Sequence, residues 1–164
     1  ITIVIIMTGA ADVSVKKILV PVDGSPVSSK AAQYAVHIAK VEGAKLVIMH
    51  VVENVKQGGA IGLQARYGNV RLVEGFRRAR IKSAERWMSD IVDDAAKQNV
   101  SAKAEILPDD GTHEVGVITE YAKKNNVDLI VMGSRGQSTF KKLLVGSVTN
   151  AVINHSPCPV LVVR

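Results

Sequence analysis

Cysteine occurs once, at Cys158, so no disulfide can close within the chain and nothing in it calls for an oxidising compartment. A reducing cytoplasm is the expected location. Aromatic residues make up 4% of the sequence, too few for the stacking platform of a single-strand nucleic-acid binder. No apolar run reaches the roughly 20 residues that cross a bilayer. The amino-terminal ITIVIIM, residues 1–7, has no basic segment ahead of it and does not read as a secretory signal; Met7 is a candidate natural start. The four histidines, His37, His50, His113 and His155, stand at no ligand-like spacing, and no metal site is expected. Internal repeats and the phosphate-binding pattern Gly-x-x-x-x-Gly-Lys-Ser/Thr are also missing.

What is present describes one globular domain. A length of 164 residues lies within the usual range of about 100–200 for a single unit. Hydrophobic residues at 47% and charged residues at 22% exclude a disordered or fibrous chain. The 21 Lys and Arg against 15 Asp and Glu leave a net charge of +6, which favours anionic partners such as phosphates. Neither a nucleic acid nor a membrane is an expected partner.

Strand and helix patterns alternate along the chain. The run KILVPV at 17–22 is stopped by Asp23-Gly24-Ser25, where Ser25 can cap a helix and Pro26 suits its first position. Ala31, Ala35, Ile38 and Ala39 then recur at helical spacing as far as Gly43. Residues 45–52, 101–107, 128–132 and 159–163 read as further strands, with 101–107 nearer an edge because it alternates. The helices between them carry the stripes Leu72, Phe76, Ala79, Ser83, Trp87, Ile91 and Val115, Ile118, Ala122; a short last one spans about 147–155. Strands apolar on both faces imply a covered parallel sheet, so the expected fold is an open, doubly wound α/β sheet with helices on both faces. Two segments stand apart. Residues 1–15 are an extension expected to add a short strand or to pack on an apolar surface. Residues 53–70, with Gly58, Gly59, Gly62 and Gly68, read as a long loop that either covers a site or is simply disordered.

In such sheets ligands bind beyond the carboxyl ends of the strands. There the sequence reads Met132-Gly133-Ser134-Arg135-Gly136, then nine residues, then Gly146-Ser147-Val148-Thr149. Gly133 and Gly136 permit positive φ and close backbone approach, which lets amides turn inward around an anion. Gly146-Ser147 falls at a helix start, where free N–H groups and the dipole favour phosphate and the Ser147 and Thr149 hydroxyls add donors. Arg135, Lys141 and Lys142 can screen polyphosphate charge. Asp23 suits a ribose hydroxyl or an exocyclic amine, and Val51 and Met132 offer apolar contacts to a base. Blander roles fit the rest. The cations Arg77, Arg78, Arg80, Lys82 and Arg86 read as a solvated helix face, Trp87 as core, His50 as a satisfied buried imidazole, and Cys158 as an unreactive packed thiol.

The spacing Gly133-x-x-Gly136, nine residues, Gly146-Ser147 resembles the nucleotide-binding pattern of the universal stress protein family, in its ATP-binding subgroup. The opening KILVPVDGS at 17–25 and the ending from Val145-Gly146-Ser147-Val148-Thr149 to PCPVLVV at 157–163 are similar to the family as well. The resemblance covers residues 16–164. It implies a five-stranded sheet in the order 3-2-1-4-5, with Pro21, Val22, Asp23 and Val51 around base and ribose. Met132, Gly133, Arg135, Gly136, Gly146, Ser147, Val148 and Thr149 would line ribose and phosphates. It further implies ATP, with Mg2+ or Mn2+ carried by the nucleotide, and a homodimer joined through the last strand. Val160, Leu161, Val162 and Val163 would otherwise leave an apolar edge unpaired. The function expected is nucleotide-linked stress signalling without a catalytic residue. The alternatives are slow ATP hydrolysis and a dimerisation module that needs no nucleotide.

Overall fold

A computed structural model describes residues 4–6, 14–52, 63–64, 67–109, 112–136 and 145–164. Its elements are β1 (Val4–Ile6), β2 (Lys17–Pro21), α1 (Pro26–Glu42), β3 (Lys45–Val52), α2 (Val70–Lys97), β4 (Ala102–Pro108), α3 (His113–Lys124), β5 (Leu129–Gly133), α4 (Ser147–His155) and β6 (Val160–Val163). They form one sheet in the order β1-β6-β5-β2-β3-β4. The five strands from β2 onward are all parallel, and counted from β2 their order is 3-2-1-4-5, as expected.

Side chains that alternate along the strands feed two cores, one on each face. Ile18, Val20, Leu46, Ile48 and Val131 pack under α1 and α2 with Ala35, Ala84 and Met88. Leu19, Val47, Met49, Ile130 and Met132 pack under α3 and α4 with Ile118, Ala122 and Val152. The expected edge character of β4 holds, since its side chains are half-buried or exposed while β3 is buried from Leu46 to Val52.

Local chemistry sets the start and end of α1. The Ser25 hydroxyl accepts from the Ser28 amide at 3.1 Å, and Pro26 begins the helix. Gly43 ends it at φ +66, a left-handed conformation that glycine adopts without steric penalty.

One sequence expectation is met and another changes. The amino-terminal extension does add a short strand: β1 lies antiparallel along β6, with Val4 opposite Val162 and Ile6 opposite Val160. The stripe on α2 is core only in its second half. The buried residues of α2 are Ala84, Met88 and Ala95, while Leu72 and Phe76 are half exposed. Length explains this. A helix of 28 residues spans about 42 Å, whereas the eight residues of β3 span about 26 Å. Because α2 follows the carboxyl end of β3, its first half overhangs the carboxyl rim of the sheet. The expected cover at 53–70 lies largely outside the described residues, as do Lys141 and Lys142.

Candidate functional site

At the carboxyl ends of β2, β3 and β5 the structure opens a cleft of about 730 Å³. All twelve residues singled out from the sequence line it: Pro21, Val22, Asp23, Val51, Met132, Gly133, Arg135, Gly136, Gly146, Ser147, Val148 and Thr149. The two glycine segments are neighbours, since the Gly146 amide donates to the Ser134 carbonyl at 2.7 Å.

The anion-binding wall is the start of α4. The Gly146 amide is engaged by Ser134, and the Asn150 amide closes the first helical bond to the Gly146 carbonyl at 2.9 Å. The amides of Ser147, Val148 and Thr149 lie between them and have no acceptor among the described residues. Three N–H groups at one helix end, facing a cleft, suit a phosphate oxygen. The Thr149 hydroxyl does a different job from the one expected. It is buried and donates to the Gly133 carbonyl at 2.8 Å, so its hydrogen braces α4 against the end of β5.

The glycines meet one half of the expectation. Among the described glycines the left-handed region is taken by Gly24, Gly43 and Gly68, and neither Gly133 nor Gly136 enters it. Both are, as expected, sites of close approach. A Cβ on Gly133 would come within 3.1 Å of the Val27 side chain and 3.2 Å of its backbone, because α1 crosses β5 there. A Cβ on Gly136 would stand 2.5 Å from Asp23 Oδ2. The glycine loop and the carboxylate thus meet across the cleft. Asp23 is fixed from its other side, where Oδ1 accepts the Ser25 amide at 3.0 Å. Arg135 is exposed at the rim.

His50 is buried as expected. Its Nδ1 lies 2.8 Å from the Val22 carbonyl, which can only accept, so the proton sits on Nδ1. Its ring meets Trp87 edge to face, with centroids 5.1 Å apart.

Sequence reasoning missed a wall. Phe76, Arg80, Ser83, Ala84 and Trp87 of α2 line the cleft, and Glu114 joins them from α3. The signal was present, because Phe76, Ser83 and Trp87 belong to the stripe read from periodicity. A repeat near 3.6 identifies a covered face without saying whether core or cleft covers it. Arg80 is therefore half-buried against the cleft and not part of a fully solvated face, and Trp87 packs on the core while lining the cleft. Among the described residues no three His, Cys, Asp or Glu side chains cluster as a metal site, and no helix is long and apolar enough to cross a membrane.

A family model for the universal stress protein family matches residues 14–164. The chain is 36% identical over 150 residues to universal stress protein YxiE of Bacillus subtilis, covering 90% of this chain and 98% of that protein. It is 35% identical over 149 residues to universal stress protein MJ0531 of Methanocaldococcus jannaschii, covering 91% and 82%. Among solved structures, the universal stress protein UspA from Lactobacillus plantarum superposes with a TM-score of 0.81 at 28% identity, over 93% of this chain and 100% of that one. Two more distant structures share the fold at a TM-score of 0.64. One is a universal stress protein in complex with cAMP, at 24% identity over 92% of this chain and 98% of that one. The other, from Archaeoglobus fulgidus, is in complex with dAMP, at 17% identity over 93% and 100%.

Proposed function

Because this chain belongs to the universal stress protein family, we propose that it binds an adenine nucleotide, ATP above all, and that the bound state serves as its signal. One observation carries the reading. Three amides with no acceptor among the described residues, at the start of α4, share a cleft with a glycine loop and a carboxylate, as phosphates and ribose require. Two proteins of the same fold hold cAMP and dAMP, which supports adenine as the base.

The binding mode follows from the chemistry of each wall. Phosphate oxygens accept from the amides of Ser147, Val148 and Thr149, with the Ser147 hydroxyl and the Arg135 guanidinium beside them. Asp23 accepts from a ribose hydroxyl, while Val51 and Met132 give the base an apolar floor. Mg2+ or Mn2+ enters with the nucleotide, since phosphate oxygens are the hard donors such ions prefer. Binding to the folded form alone stabilises it by mass action, by about 2.7 kcal/mol at a hundredfold excess over Kd. That linkage turns cytoplasmic ATP level into a change in this protein. A second copy joins at β6 when β1 leaves that edge, giving the homodimer of the full reading.

Calorimetric titration of ATP with Mg2+ into nucleotide-stripped protein at physiological salt tests it. Saturable one-site binding is expected, and the absence of saturable heat overturns the reading.

A further inference from the structure

The base side of the cleft is where the structure says more than the glycine pattern does. Along the carboxyl rim, β5 carries the glycine loop, β2 carries Asp23, β3 carries His50 and Val51, and α2 packs against β3 and β4. A nucleotide whose phosphates sit at α4 and whose sugar meets Asp23 just past β2 therefore carries its base toward β3 and under α2. What α2 offers there is one face of three turns: Phe76, Arg80, Ser83 and Trp87 at i, i+4, i+7 and i+11.

These side chains suit a flat, polarisable ring. Trp87 is held from behind by the β2 loop. The left-handed Gly24 leaves room for it, and a Cβ there would lie 3.2 Å from the indole nitrogen. Phe76 stands at the mouth, 50% exposed, a large apolar surface with nothing over it among the described residues. Arg80 lies one turn below Phe76, and a guanidinium plane stacks on a base as an aromatic ring does. The overhang adds a second observation. None of residues 70–83 is buried, so the first half of α2 gains little from the core. A helix of that length is marginal without packing.

We propose that α2 is the base-binding wall of the site, with Phe76 and Arg80 closing over the outer face of the base. This rests on the nucleotide reading and extends it, since it assigns base recognition to a helix outside the glycine pattern. Base and phosphate then make separable demands: α2 holds the base, α4 the phosphates.

Two probes, ATP and inorganic tripolyphosphate, separate them. Phe76→Ala and Arg80→Ala should each weaken ATP about tenfold, within the range of single base-stacking contacts. Each should change tripolyphosphate affinity, measured by displacement of ATP, less than about twofold. Both variants should melt as the unliganded parent does, because neither residue is in the core. Trp87, the chain's one tryptophan, gives a direct optical signal: ATP should change its emission and tripolyphosphate should not. ATP alone should also slow amide exchange across 70–83. Equal loss on both probes would make α2 a phosphate contact and overturn the proposal. So would unchanged ATP affinity in both variants while the parent binds ATP normally; that result leaves the nucleotide reading standing. A parent that binds no ATP fails both.

Discussion

Gly136 shows how one missing carbon can matter for the ligand and not for the fold. Its Cβ would meet the Asp23 carboxylate at 2.5 Å and 3.6 Å, with nothing else within 4 Å among the described residues other than its chain neighbours. The obstructing atom, Oδ2, ends a side chain and can turn aside about the Oδ1 anchored on the Ser25 amide, so Gly136→Ala should cost less than about 1 kcal/mol of stability. It moves the carboxylate proposed to meet the sugar, however, and on that proposal should weaken ATP about tenfold, the loss expected for a hydrogen bond to a charged group. Gly133→Ala should behave in the opposite way. Besides the Val27 side chain at 3.1 Å, the atoms in its path are the Val27 and Arg135 backbones, at 3.2 and 3.3 Å, which cannot swing aside. A destabilisation of about 1–3 kcal/mol is expected, as for other overpacked sites. Urea melts and ATP titrations of the two variants give the comparison; equal effects on stability would contradict it. Cys158 gives a pH prediction with a definite sign. Burial pushes its thiol pKa up, with the Ser156 hydroxyl working the other way. The folded state therefore holds the proton longer than the unfolded one. The associated stability is intact below the ordinary thiol value of about 8.5 and is lost as pH rises through the higher folded value. Between neutral and strongly alkaline pH, the urea midpoint of the parent should fall further than that of Cys158→Ala. Parallel curves would refute the shift.

Among the elements, those with a local cause were the ones the sequence disclosed. Ser25-Pro26 and Gly43 bound α1 through a cap, a fixed φ and a left-handed turn, and all three are chemical properties of the residues themselves. The parallel strands were equally plain, because a strand covered on both faces has to be largely apolar, as residues 46–52 are but for His50. The cleft residues of the glycine pattern were legible for a related reason: the topology brings every strand's carboxyl end to one rim, so motif position alone set their neighbourhood. Three features were not legible because each depends on another part of the chain. Whether the stripe through Phe76 and Trp87 faces core or cleft depends on the length of α2 relative to the sheet, which periodicity does not encode. That Thr149 bonds Gly133 and not a ligand depends on how α4 seats on β5. That Gly133 and Gly136 are glycines for space and not for positive φ depends on Val27 and Asp23, which lie more than a hundred residues earlier.

At the level of the whole molecule, the question is what becomes of the sheet's two edges. The β4 edge is guarded by polar residues: Lys103 and Glu105 pair across its surface, and Tyr121 donates to Glu105 at 2.8 Å. The β6 edge has no such guard, since Val160, Leu161, Val162 and Val163 are all buried and carry no charge. An apolar edge of this kind pairs with whatever strand is available. In this chain it pairs with β1, in register over three residues. Each outward N–H and C=O of β6 serves one neighbour, so a second copy can take the edge only by replacing β1. A three-residue strand is a weak competitor for it, because so few ladder bonds offset the entropy of ordering the segment. Removing residues 1–13 should therefore promote self-association through β6. Sedimentation velocity at matched concentrations should show a larger dimer fraction for the shortened chain than for the full one. Leu161→Lys, which puts a charge on that strand, should lower the dimer fraction of the shortened chain, with circular dichroism as the check that it folds. Equal dimer fractions for the two lengths would mean that β1 and a second copy do not compete, and the dimer contact would have to lie on another face.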